Sequence, residues 1–281
     1  MGGVEKSATK RTGTTDGTVA DVRNRCCDDP RPAAPGPPVM TTRTSALRVG
    51  SAMPDPPFEF YERGGPVGFD IDLTRALAGH LGLRWEFVPH EGDDFETIFD
   101  ELAAGRFDVV ASGTTVTEPR RERASFCAPY FVSGQSLAVD TARHPAVQGV
   151  ADLAGLTVGV QQGNTSEPVV KRLLAEGRIG GIRVYAYHEI DRALDELSTG
   201  GCDAFMKLGP VLTWLTRDRT HVDVVEYDIT REEIALAVRL GDAVLRADLE
   251  EAQRALTADG TLGALVSRWL SPARGDGTSS S

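Results

Sequence analysis

The chain has 281 residues, with 30 Lys+Arg against 41 Asp+Glu for a formal charge of −11, and is 41% hydrophobic and 25% charged. That length suits one large domain or two medium ones. The acidic balance excludes the basic face of a nucleic-acid binder or a generic anionic-membrane binder. No stretch approaches the roughly 18 apolar residues of a membrane span, and collagen, coiled-coil and disulfide-scaffold compositions do not fit. A soluble α/β protein remains.

Residues 1–45 are rich in Gly, Thr, Asp and Arg and then carry Pro30, Pro32, Pro35, Pro37 and Pro38. So few apolar residues cannot offset the ordering entropy, and this segment is expected to be disordered. It holds no apolar region of a secretory leader, and Cys26-Cys27 lacks the hydrophobic run that precedes a lipid-attachment cysteine. On the sequence as given the expected location is cytoplasmic, with Met40 as an alternative start. Cys127 and Cys202 match no metal spacing and read as small buried hydrophobes. No metal and no cofactor is expected.

From Leu47 onward short apolar runs alternate with helical periods. A strand over 47–50 enters the loop Met53-Pro54-Asp55-Pro56-Pro57. Phe69, Leu73, Ala76, Leu77 and Leu81 form one helix face closed by Gly82. A strand over 84–88 follows, then a helix marked by Phe95, Ile98, Phe99, Leu102 and Ala103 and stopped by Gly105. The apolar run 107–111 reads as a strand buried on both faces of a parallel sheet. A second series places strands at 136–139, 156–160, 183–187, 204–206, 222–226 and 235–238. Helices are expected at 168–176, 190–197, 210–217, 243–256 and 262–270, with a fraying tail over 272–281. Two such series suggest two lobes, with ligand outside the carboxyl ends of the strands.

The loop Ser112-Gly113-Thr114-Thr115-Val116-Thr117-Glu118-Pro119-Arg120 directly follows the run 107–111. Thr117 is an N-cap candidate, so Arg120 hangs from a first helical turn where dipole and free amides favour an anion. Its guanidinium can grip a carboxylate through two parallel hydrogen bonds. Arg121, Glu122 and Arg123 are expected to be solvated. A second turn, Gln161-Gln162-Gly163-Asn164-Thr165-Ser166, offers hydroxyls and amides before another helix and forms the opposite jaw of a cleft.

Taken together, these residues resemble the type 2 periplasmic solute-binding proteins of family 3, the substrate-binding components of amino-acid ABC transporters. The resemblance runs from about Leu47 to Leu270 and rests on the order of several short motifs. These are Pro56-Pro57-Phe58-Glu59-Phe60, Val67-Gly68-Phe69-Asp70, Gly105-Arg106-Phe107-Asp108, the Ser-Gly-x-Thr-x-Thr-x-x-Arg loop, Phe126-Cys127-Ala128-Pro129-Tyr130-Phe131, Gly134-Gln135 and Ala258-Asp259-Gly260-Thr261. It implies an α/β two-lobed fold with a hinge: lobe one over 46–135 plus 235–271, lobe two over 136–234, crossings near 134–139 and 234–238. It also implies that Arg120, Thr115 and Thr165 hold a ligand carboxylate and that Phe58 lines an apolar wall. Ser112 and Gly113 would offer backbone groups to the amino end, and Asn164 would contact the ligand from the opposite jaw.

An Asp that neutralises the ligand ammonium in the family falls at Leu208. Asp55 is a substitute, and Lys207 could meet a second anionic group. No nucleophile–base pair stands at motif spacing, so the expectation is a monomeric, non-enzymatic binder of a small carboxylate, amino acid or relative, serving an ABC permease. By resemblance such a protein is periplasmic or extracellular if the start is mis-set. The alternatives are a cytosolic sensor or an enzyme resembling cyclohexadienyl dehydratase, for which Asp55, Lys207 and Glu233 are the available acid–base groups.

Overall fold

The computed structural model describes residues 45–270, so the N-terminal segment (Ser45 apart) and the tail 272–281 lie outside the described residues. The first sheet begins with β1 (Ala46–Ala52), and a hairpin of β2 (Phe60–Glu62) and β3 (Gly65–Val67) precedes α1 (Phe69–His80). β4 (Arg84–His90) leads through a 3-10 turn into α2 (Ile98–Ala103), followed by β5 (Val109–Val110). α3 (Glu118–Arg121), β6 (Ala124–Phe126) and β7 (Phe131–Ser133) then carry the chain to the second sheet. That part comprises β8 (Gln135–Asp140), β9 (Thr157–Gln161), α4 (Ser166–Ala175), β10 (Gly181–Tyr185), α5 (Ile190–Thr199), β11 (Ala204–Leu208), α6 (Gly209–Thr216) and β12 (Val222–Glu226). β13 (Glu232–Ile234) returns to the first sheet, where β14 (Ala237–Arg239), α7 (Ala243–Ala258) and α8 (Thr261–Trp269) complete the fold.

The result is an α/β protein of two lobes, each built on one five-stranded sheet, ordered β4-β1-β5-β14-β6 and β10-β9-β11-β8-β12. α5 shows why these elements form. Ile190, Ala193, Leu194 and Leu197 recur at helical spacing and are buried against the second sheet, and Gly200 ends the helix in the left-handed region. Burying each large apolar side chain of this kind contributes about 1.5–3 kcal/mol. Cys127 and Cys202 are both buried free thiols, as expected of small hydrophobes.

Two expectations need correction. The run 107–111 is buried, but only Val109 and Val110 join the ladder, parallel to β1 on one side and antiparallel to β14 on the other. The sheet is therefore mixed rather than parallel. The short strands β2, β3, β6, β7 and β13 were not anticipated, because three residues are too few to display a period of two. The paired crossing is the antiparallel ribbon of β7 and β13, with Ile234 opposite Phe131, a few residues before the expected 134–139 and 234–238 segments.

Parallel strands β1, β4 and β5 of the first sheet, and β9, β10 and β11 of the second, direct their carboxyl ends toward one cleft. Leu208 and Val211 of the second lobe pack into a core cluster of the first, and Tyr187 packs beside Phe95 at 5.7 Å between ring centres.

Candidate ligand-binding cleft

Arg120 sits where its sequence position placed it. Thr117 caps α3 by accepting from the Arg120 amide at 3.3 Å, and the Arg120 side chain is buried. Nε donates to Glu96 Oε1 at 2.9 Å, Nη1 to the Thr115 carbonyl at 3.0 Å, and Nη2 across the cleft to the Gly163 carbonyl at 3.1 Å. The guanidinium lies over the Phe95 ring at 4.8 Å. Burial pulls its pKa below the ordinary arginine value, with Glu96 opposing. A guanidinium has five N–H donors, so two remain, one on each terminal nitrogen. Arg123 is not simply solvated: it takes the second Glu96 oxygen at 3.1 Å and Asp100 at 2.7 Å.

The two jaws meet closely at Gly163. It has φ +75°, and a Cβ there would come within 2.2 Å of Asp94 Oδ1 and 2.9 Å of the Phe95 amide nitrogen. Only glycine satisfies both the backbone conformation and the approach.

Beside Arg120 stands Glu232, a residue that sequence reasoning missed. Its Oε2 accepts from Thr115 Oγ1 and from Thr165 Oγ1, each at 2.7 Å, and its Oε1 from Gln135 Nε2 at 2.9 Å and Thr230 Oγ1 at 2.8 Å. Thr115 belongs to the first lobe and Thr165 to the second, so one buried carboxylate ties both. A hydroxyl carries a single proton, and both threonine protons are spent on Glu232. The structure thus brings Thr115 and Thr165 together but not with free hydroxyl donors.

Asp55 and Lys207 form an ion pair across the cleft at 2.7 Å, with side chains 10% and 3% exposed. Lys207 also donates to Gln161 Oε1 at 2.5 Å. Asp55 is therefore not a lone acidic group awaiting a ligand cation. Behind it lie Glu59, which accepts from Ser112 Oγ at 2.6 Å, and Asp70, which accepts from the Gly113 amide at 2.7 Å. The Ser112 hydroxyl and Gly113 N–H are accordingly committed inward. Burial raises the pKa values of Asp55 and Glu59, and pushes Asp70 up to about 7 against the bond from the Gly113 amide.

Those shifts fix a pH dependence. An unfolded Asp70 ionises near 3.8, whereas the folded one keeps its proton to about 7. Between those values the native state binds more protons, so this contribution to stability is lost as pH rises through the window. In urea titrations from about pH 4 to about pH 7, Asp70→Asn, which still accepts from Gly113, is expected to gain stability relative to wild type as pH rises. A constant difference between the two proteins would remove Asp70 as the cause.

Eight of the nine predicted site residues, Asp55, Ser112, Gly113, Thr115, Arg120, Asn164, Thr165 and Lys207, line one small, tightly closed cavity between the jaws. Phe58 does not. It is fully buried in the first lobe, edge-on to Phe69 at 6.2 Å, and its ring lies beneath Gly113, where a Cβ would come within 3.0 Å. The aromatic walls are Phe95 and Tyr187 instead, and Leu208 closes one side. Glu233, a candidate acid–base group, pairs with Arg231 at 3.5 Å outside this lining. Among the described residues no His/Cys/Asp/Glu cluster could hold a metal ion, and no helix is long and apolar enough to cross a membrane.

Comparison with known proteins fits this geometry. The family model of bacterial extracellular solute-binding proteins, family 3, matches residues 47–272. The arginine-binding protein ArgT of Corynebacterium glutamicum is 34% identical over 195 residues, covering 67% of this chain; the match spans 62% of that relative's length. The solved structure of an ancestral arginine-binding protein bound to arginine superposes with a TM-score of 0.74 at 33% identity, covering 81% of this chain and 99% of the other. An ancestral amino acid-binding protein, a precursor of cyclohexadienyl dehydratase, superposes at 0.72 and 32% identity, covering 81% and 96%. The family and these relatives are binding proteins rather than enzymes. The cleft, its buried guanidinium and the match across nearly all the described residues lead to one assignment: this chain belongs to the bacterial extracellular solute-binding proteins of family 3.

Proposed function

We propose that this protein captures a cationic amino acid between its lobes and delivers it to an ABC permease outside the cytoplasmic membrane. It acts as a monomer whose lobes span 46–135 plus 235–271 and 136–234. The observation that carries this reading is Arg120, buried in the cleft with two N–H groups unspent and ready for a ligand carboxylate. The charge balance supports this ligand class. Lys207 is matched by Asp55, while Arg120 already faces Glu96 and feels the field of Glu232. A ligand carboxylate adds one more negative charge to a buried site, which favours a ligand that also brings positive charge. Arginine recognition by relatives supports the same class.

A thermal-shift screen of L-arginine, L-lysine, L-glutamine and pyruvate tests this. Ligand at 100 times its dissociation constant stabilises by about 2.7 kcal/mol, or about 5 to 11 °C for a protein of this size. L-arginine and L-lysine are expected to give the largest shifts. A flat response to every amino acid would overturn the reading.

A further inference from the structure

The cleft holds a second feature whose purpose the carboxylate clamp leaves unexplained. Gln135, 1% exposed and lining the cavity, directs its Nε2 to Glu232 Oε1 at 2.9 Å and Thr165 Oγ1 at 3.0 Å. Its Oε1 is buried with no partner. The amide cannot rotate by half a turn, because that would set its carbonyl oxygen against the Glu232 carboxylate. Glu232 therefore fixes Gln135 with a bare acceptor. Glu232 is also a buried carboxylate with no ion-pair partner among the described residues, and all four of its bonds come from neutral donors. An unmatched buried negative charge behind a free acceptor is the arrangement that a primary ammonium completes. The other charged or family-position candidates are not available: Leu208 is apolar, and the Asp55 charge is taken by Lys207.

We propose that Gln135 Oε1, oriented by Glu232 and backed by its charge, is the subsite for the ligand α-ammonium. The inference rests on the reading of the cleft as an amino-acid site. Glu232 acts as a positioning residue: its oxygens are filled by Thr115, Thr165, Thr230 and Gln135, so it reaches the ammonium through its field and through the Gln135 amide.

The test is calorimetric titration of the full chain with L-arginine and with its des-amino analogue. Wild type is expected to prefer L-arginine. Glu232→Gln should weaken L-arginine by about ten- to a hundredfold, the range expected for a charge-assisted bond, and the analogue by less than about threefold on the same scale. A purely structural role would weaken both ligands alike. Equal weakening of both ligands, or unchanged L-arginine binding, would overturn the proposal. Should Glu232→Gln fail to fold, Gln135→Met must abolish the preference for L-arginine over the analogue, and a retained preference overturns it equally. A wild type that is silent to L-arginine would overturn the cationic-ligand reading and this inference with it. A responsive wild type with an indifferent Glu232→Gln overturns the inference alone.

Discussion

Arg120→Ala is expected to abolish ligand-induced stabilisation and also to lower the melting temperature of the unliganded protein. Truncating one member of a buried, hydrogen-bonded charge pair typically costs 2–5 kcal/mol or more of affinity, about 30-fold to several thousand-fold. A ligand carboxylate left without the guanidinium loses its two-pronged charged partner. The second effect follows from the environment of Arg120: three bonds tie its side chain to Glu96, the Thr115 carbonyl and, across the cleft, the Gly163 carbonyl. Buried acceptors left unsatisfied cost about 1–3 kcal/mol each, although Glu96 is 35% exposed and can rehydrate. Sequence alone suggests an unmoved ligand-free transition, because a first-turn arginine looks like a free hand. Arg120→Lys should keep some of the charge effect and lose the fork, giving an intermediate shift. Differential scanning fluorimetry with and without L-arginine reads both quantities. A mutant that responds to ligand as wild type does would displace Arg120 from the clamp.

Lys207→Met carries the largest expected cost in stability. It leaves Asp55 buried without its counter-charge beside two further carboxyls, Glu59 and Asp70. Removing one partner of a buried pair typically costs about 3–5 kcal/mol, whereas replacing both is often neutral. The double variant Asp55→Asn with Lys207→Met should therefore recover much of the loss, and urea unfolding of the four proteins gives the coupling energy directly. The pair joins the two lobes, so Lys207→Met should also enlarge the radius of gyration in solution scattering. A loss below about 1 kcal/mol, within the range of a surface pair, would show that the contact contributes little.

Much of the fold was legible because its long elements announce themselves. α1, α5 and α7 carry apolar faces at helical spacing, and β1, β4, β8 and β9 are runs long enough to recognise. The loops after β5 and β9 could be assigned to the cleft because strand ends in an open α/β sheet converge there. What could not be read was side-chain direction. Phe58 follows two prolines at a strand end and could face either way; the close fit beneath Gly113 turns it into the core. Asp55 and Lys207 were both placed at the cleft, yet their pairing depends on lobe approach, which no local pattern encodes. Glu232 lay beside Glu233, the neighbour that the sequence singled out, and only its pairing opposite Ser133 in the ribbon brings it to Thr115 and Thr165. Gln135 was visible as part of a motif, but its role depends on Glu232.

The ribbon of β7 and β13 has a mechanical consequence. A lone connecting segment would let the halves swivel freely, whereas two antiparallel segments stitched over three residue pairs resist both torsion and sliding. Bending is then the soft coordinate, and the trajectory of release is a single hinged swing. Escape of a bound molecule should therefore track the frequency of that swing, so stiffening the strap would lengthen residence without altering any group that touches the cargo.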